Sequence, residues 1–285
     1  MKILKKIGKW FLVLLGALIA FILVVLLIIR INSSGNEEPF LDEKGNVLPN
    51  SIAMHEDMTI NGVPQRVTIR GKDKNNPVLL IVHGGPGAPI LPIIYKLTGV
   101  DLEDIFTVCY WEQRGSGLAY NDSIADSSIT LPHIVADGLE LSNHLKKTFK
   151  KDKIYIEGIS WGTAVAAYMV QKQPELYHAY IGSGLMANLS LSEELSYEFA
   201  LSAKILESTA IDMNLMRDIP ELKVPIYILQ GDNDHFTETS VAKMYFDSII
   251  APSKKWFLFE NGTHGVQVEY PEKYRSIYIN EILGK

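Results

Sequence analysis

Ile154-Tyr-Ile-Glu-Gly-Ile-Ser-Trp-Gly162 is the stretch whose reading decides the fold. It opens as a β-prone run and closes as Gly158-Ile-Ser160-Trp-Gly162, the G-x-S-x-G form of a strand that turns sharply into a helix. Small residues on either side of the serine let strand and helix approach closely. The turn then holds the serine in a strained conformation that pushes its Oγ into solvent, where a weak alcohol can act as a nucleophile.

Outward from this turn, continuous apolar runs recur at Pro77 to Val82, Ile105 to Trp111, Tyr180 to Ser183, Ile226 to Gln230 and Trp256 to Phe259. Helical stretches lie between most of them, as at Leu131 to Lys147, Thr163 to Gln173 and Ser240 to Ile250. Apolar runs suit strands covered on both faces, and their alternation with helices predicts an α/β fold with a mostly parallel sheet and right-handed crossovers. Upstream, Ile52 to Ile60 and Val63 to Ile69 flank Asn61-Gly62, which predicts an antiparallel hairpin. Open sheets of this kind carry their sites at the carboxyl ends of the strands.

A serine nucleophile needs a base, and the base needs an acid to hold its tautomer. Gln230-Gly-Asp-Asn-Asp234 follows one apolar strand and Asn261-Gly-Thr-His264-Gly265 follows the last. The order Ser160, Asp234, His264 is the serine, acid, histidine order of a hydrolase triad. Asp232 is the alternative acid, and either aspartate could instead cap the helix after Thr237. Of the seven histidines, His264 alone follows the final strand in a glycine-rich loop. The developing oxyanion needs backbone N-H donors; Trp161 and Gly85 are the candidates, the latter within His83-Gly-Gly-Pro-Gly87. That loop lacks the spacing and lysine of a phosphate-binding loop.

Taken together, His83-Gly-Gly-Pro-Gly87, Tyr110-Trp-Glu-Gln-Arg-Gly-Ser-Gly117, Gly158-Ile-Ser-Trp-Gly162 and the late Asp and His resemble the proline iminopeptidase branch of the α/β-hydrolase family, from about Ile52 to the C-terminus. The resemblance implies an α/β-hydrolase fold and a cofactor-free serine enzyme that releases an N-terminal residue, often proline, from short peptides. Glu112 stands where the family usually has Asp, and it and Arg114 read as braces of their loop. Residues 184–224 leave room for only a reduced cap, in which Ser190 and Glu193 form a capping box and Leu195, Phe199 and Leu206 share a helix face. In such aminopeptidases lid carboxylates recognise the substrate ammonium; Glu193, Glu194, Glu198 and Glu207 are present, and no motif singles one out.

The chain has 285 residues, 47% apolar and 21% charged, enough for one large core. A formal charge of -6 argues against a nucleic-acid partner. Basic residues cluster at Lys2, Lys5, Lys6 and Lys9, before an uncharged run from Trp10 to Ile29. About 20 helical residues span a bilayer's hydrocarbon, and no A-x-A cleavage site follows Arg30, so an uncleaved transmembrane anchor is expected. Lysines before the run and Glu37 and Glu38 after it place the N-terminus in the cytoplasm and the catalytic domain outside. The expected organisation is an anchor over 1–31, a linker over 32–39 and a catalytic domain over 40–285. Cys109, the single cysteine, reads as an inert buried thiol, and no metal or organic cofactor is called for. The expected substrate is a small peptide, amide or ester. The rival readings are an esterase or lactonase acting on small or lipid-like acyl groups, and a non-catalytic binding domain. Ser160 at the elbow speaks against epoxide hydrolase or dehalogenase chemistry, which needs an aspartate there.

Overall fold

A computed structural model describes residues 2–32, 37–89, 100–195 and 213–285. Two compact units divide the chain, Met1–Glu38 and Pro39–Lys285.

The first unit contains a 31-residue helix, α1 (Lys2–Asn32). Its described side chains, at 10, 11 and 13–27, are all exposed. Among the described residues no helix is long and apolar enough to cross a membrane, so the span expected over Trp10 to Ile29 is not found.

The second unit is built on one eight-stranded sheet in the order β1-β2-β4-β3-β5-β6-β7-β8. Strands β1 (Ile52–Ile60) and β2 (Val63–Gly71) form the expected hairpin, and Asn61 and Gly62 take φ of 45° and 77°, the two left-handed residues that a tight hairpin turn requires. The turn docks on α2 (Leu131–Thr148), where Asn61 Nδ2 donates to Asp137 at 3.0 Å. Strand β2 pairs antiparallel with β4 (Thr107–Glu112), and every later pairing is parallel: β4 with β3 (Val78–Val82), then β5 (Ile154–Ile159), β6 (Tyr177–Ser183), β7 (Ile226–Gly231) and β8 (Lys254–Phe259). Burial explains the unbroken apolar runs. All five residues of β3 are buried, with Leu80 and Val82 in one core cluster and Leu79 and Ile81 in the other. The first cluster also takes in α2 and α3 (Trp161–Lys172); the second includes the C-terminal helix Pro271–Ile277. Cys109 is fully buried, and burial pushes its thiol far up, as expected of an inert core residue.

Two braces read from the sequence take shape here. Arg114 is buried and donates from Nε and Nη2 to Asp137 at 2.5 and 2.6 Å, while Gln65 Nε2 reaches the same carboxylate at 2.7 Å. Glu112 accepts from the Leu118 N-H at 2.5 Å and so closes the loop after β4. The cap differs from expectation. Helix α4 (Leu189–Leu195) is capped by Asn188, whose side chain accepts from the Leu191 N-H at 3.1 Å, so Ser190 lies inside the first turn and not at the N-cap position expected for it. Glu194 is exposed, while Phe199, Leu206, Glu198 and Glu207 and the side chain of Glu193 lie outside what is described.

Candidate active site

Strand β5 ends at Ile159 and α3 begins at Trp161, so Ser160 is the whole of the turn between them. It adopts φ 53° and ψ -123°, a region that costs an L-residue about 1 to 3 kcal/mol. The glycines on either side have no room for a side chain. A Cβ on Gly158 would run into the carbonyl of Gly162 and the Cα of Thr163, and one on Gly162 would strike the carbonyl of Val82. Thr163 closes the turn from below, its N-H and hydroxyl both bonded to the Ser160 carbonyl, at 2.9 and 2.6 Å.

Asp234 follows β7 and is 1% exposed. Its Oδ1 accepts from the N-H groups of Phe236 and Thr237, both at 3.0 Å, and its Oδ2 accepts from Thr237 Oγ1 at 2.8 Å and His264 Nδ1 at 2.9 Å. Burial alone would raise this carboxyl; the His264 hydrogen bond and charge, with the Thr237 donors, outweigh it and hold the group below the usual carboxylate range. One oxygen of Asp234 thus closes the turn of residues 234–237, while the helix that follows, Thr239–Ser248, is entered through Glu238 and not capped by either aspartate. Asp232, the rival acid, is exposed and makes no contact with His264 among the described residues.

His264 stands at the end of the loop after β8. The loop lies against β7, where a Cβ on Gly231 would collide with the carbonyls of Gly262 and Thr263. The Phe236 ring lies 5.2 Å from the imidazole. Ser160 and the His264–Asp234 pair each lie against the end of β6. The Ser160 N-H donates to the Ser183 carbonyl at 2.9 Å, and the next residue, Gly184 at φ 61°, lies so close to His264 that a Cβ there would be 2.9 Å from the imidazole Cε1. Ser160 and His264 make no hydrogen bond with each other among the described residues; such contacts in unliganded hydrolases often tighten only around substrate.

Gly84 packs on the elbow, its built Cβ position 3.0 Å from Ser160 Cβ, which brings the loop carrying Gly85 beside the nucleophile. The amides of Gly85 and Trp161 donate to nothing among the described residues. His83, which sequence reading left among the uninvolved histidines, orders this loop. A carbonyl can only accept, so Nδ1, 2.8 Å from the Gly84 oxygen, carries the proton, and Nε2 accepts from the Gln113 N-H at 3.3 Å. Burial lowers His83 to about 4, so the ring is neutral near pH 7. Holding the Gly84 carbonyl sets the plane of the Gly84-Gly85 peptide, and the Gly85 N-H must face away from the ring. The signal was the first letter of the motif itself.

Among the described residues no group of three or more His, Cys, Asp or Glu side chains could hold a metal ion. A cavity of about 360 Å³, lined by Asp57, Arg66, Leu118 and Tyr120 among others, opens beside the hairpin and contains none of the three triad residues.

No family model matches the chain. Probable aminopeptidase YbaC of Bacillus subtilis (strain 168) is 26% identical over 301 residues, covering 79% of this chain and 94% of that protein. The proline iminopeptidase of Mycobacterium smegmatis superposes with a TM-score of 0.63 at 14% identity, over 79% of this chain and 96% of its own. A membrane phospholipase A described as a bacterial virulence factor superposes with a TM-score of 0.63 at 17% identity, and here the match covers 98% of both chains. The chain thus has the α/β-hydrolase fold, with a proline iminopeptidase among its structural neighbours and a distant relative in the probable aminopeptidase YbaC.

Proposed function

We propose that this protein is a serine hydrolase of the proline iminopeptidase type that releases the N-terminal residue of small peptides through an acyl-enzyme. The observation that carries the reading is the 2.9 Å bond from His264 Nδ1 to the buried Asp234 carboxylate, at the same sheet edge as a serine held at positive φ. With Nδ1 donating to Asp234, His264 Nε2 is left as the base. Ser160 Oγ attacks the carbonyl carbon of the N-terminal residue and gives its proton to Nε2. The N-H groups of Gly85 and Trp161 hold the oxyanion. Collapse breaks the C-N bond, and the leaving amine takes the proton from His264. Water then attacks the ester by the same route and frees Ser160. The likeness to a probable aminopeptidase over 94% of that protein's length supports the peptide substrate.

A second reading is favoured by the likeness to the membrane phospholipase A, which covers 98% of this chain where the proline iminopeptidase match covers 79%. Here the same triad would cleave esters, among them lipid-like acyl esters. A panel of proline arylamide, other aminoacyl arylamides and short and long acyl esters separates the two. The first reading expects aminoacyl arylamides to be turned over fastest; a preference for long acyl esters would replace it with the second, and no turnover of any, with no adduct to serine reagents, would leave a binding domain.

We also infer that residues 1–31 anchor the chain in the cell membrane, with the N-terminus cytoplasmic and the catalytic domain outside. The uncharged run from Trp10 to Ile29, the lysines before it and the exposed apolar side chains of α1 support this. Protease added to intact cells should digest the catalytic domain; full protection would refute the orientation.

A further inference from the structure

Gln230 is fully buried at the end of β7, has no place in the chemistry above, and yet touches both walls of the imidazole site. Its Nε2 donates to Asp234 Oδ2 at 2.9 Å, the oxygen that also receives His264, and to the Thr237 carbonyl at 3.0 Å. Its Oε1 accepts from the Leu185 N-H at 2.8 Å. Leu185 follows Gly184, whose bare backbone lies against His264 and whose built Cβ position is also 3.6 Å from Asp234 Oδ2. A second thread reaches the same loop from the elbow, since Thr163 Oγ1, bonded to the Ser160 carbonyl at 2.6 Å, accepts from the Met186 N-H at 2.9 Å. Loop 184–186 is therefore tied by one side chain to the acid and by another to the nucleophile.

We propose that Gln230 is a positioning residue of the reaction: its amide clamps the Asp234 carboxylate to the 184–186 loop and so sets both the place and the basicity of His264. The inference rests on the reading of Ser160, Asp234 and His264 as a triad. Only an amide of this length does both jobs, because one end must donate to a carboxylate and the other must accept from a backbone N-H. The donor end also spreads the charge of Asp234 Oδ2 over three partners, Gln230, Thr237 and His264. Without the Gln230 donor, more of that charge falls on His264. The imidazolium is then favoured, and the neutral base appears only at higher pH. The other charges around His264, Asp232 and the His235–Glu238 pair at 3.5 Å on this turn and Glu269, which accepts from the Thr263 N-H at 2.8 Å, are unaltered by a change at Gln230.

The test measures the rate at which a fluorophosphonate labels Ser160 in the full-length chain across pH, in wild type, Gln230→Met and Gln230→Glu. The methionine variant keeps the volume and loses both bonds. It should label about 10- to 100-fold more slowly, the size of one lost hydrogen bond to a charged group, with the acid limb of the profile moved to higher pH. The glutamate variant keeps the acceptor for Leu185 but sets a second carboxyl against Asp234, and should lose rate increasingly as pH rises and that carboxyl ionises. Should the methionine variant not fold by circular dichroism, the size-matched glutamate variant decides. Rates within about twofold of wild type would overturn the proposal, and so would a slower rate with an unshifted acid limb, the mark of a merely structural role. Ser160→Ala separates the levels. If it still labels, the triad reading fails first; if it is silent while the Gln230 variants behave as wild type, this inference alone falls.

Discussion

Ser160 holds its strained backbone because Gly158 and Gly162 leave the strand and helix around it free to close up, and Asp234 holds its charge because five donors surround it. From these contacts, Asp234→Asn should lower kcat by about 10⁴, since an amide at Oδ2 can turn an N-H toward His264 and select the wrong tautomer. Asp232→Asn, exposed and one turn away, should leave kcat within about twofold, and steady-state rates on the best substrate of the panel check both. An equal loss in the two variants would show the acid to be misassigned. The three residues proposed as the triad could be singled out in the sequence because each follows its own strand inside a short motif. Gln230 and His83 were not legible as positioning residues. The Leu185 N-H that Gln230 holds lies 45 residues away, and nothing around Gln230 marks the contact; for His83 the motif marked the residue but not its hold on the Gly84 carbonyl.

Among the elements, β5 carries another buried acid, Glu157, facing the C-terminal helix, where Tyr274 donates to it. Burial raises this carboxyl to about 7, with the Tyr274 and Tyr278 hydrogen bonds opposing. A raised carboxyl favours the folded state while it is protonated. Its contribution is whole below the unfolded value of about 4.5 and is lost as pH rises through about 7. Wild type should therefore lose roughly 3 kcal/mol of stability between these limits relative to Glu157→Gln, which carries no such charge. Denaturant melts at several pH values check it, and identical pH slopes in the two proteins would contradict it. Across the sheet, Arg114→Met leaves Asp137 buried without its guanidinium and should cost about 3 to 5 kcal/mol in the same melts. Strand and helix positions could be read from hydrophobic runs because burial on both faces imposes them. The cap could not, since Asn188 and Ser190 are both good capping residues and only the path of the chain after β6 chooses between them.

At the scale of the whole molecule, one sheet gathers at the ends of β5, β6, β7 and β8 residues that are more than a hundred positions apart in the chain. That assembly belongs to the second unit, Pro39–Lys285. A fragment starting at Pro39 should fold and label with a fluorophosphonate at the rate of the full chain, whereas the full chain alone should sediment with membranes and resist carbonate extraction. Release of the full chain by carbonate would remove the anchor. The alternation of strands and helices along the chain was legible because parallel strands need long crossovers, whereas the placing of β4 between β2 and β3 was not. The substrate was not, because pocket walls come from loops whose pairing no periodicity reveals.

The most direct measurement is intact-mass and peptide mapping of the protein after reaction with a fluorophosphonate, in wild type and Ser160→Ala. The account predicts one adduct, on Ser160, in wild type and none in the variant. An adduct on another residue, or an undiminished adduct in Ser160→Ala, would contradict it.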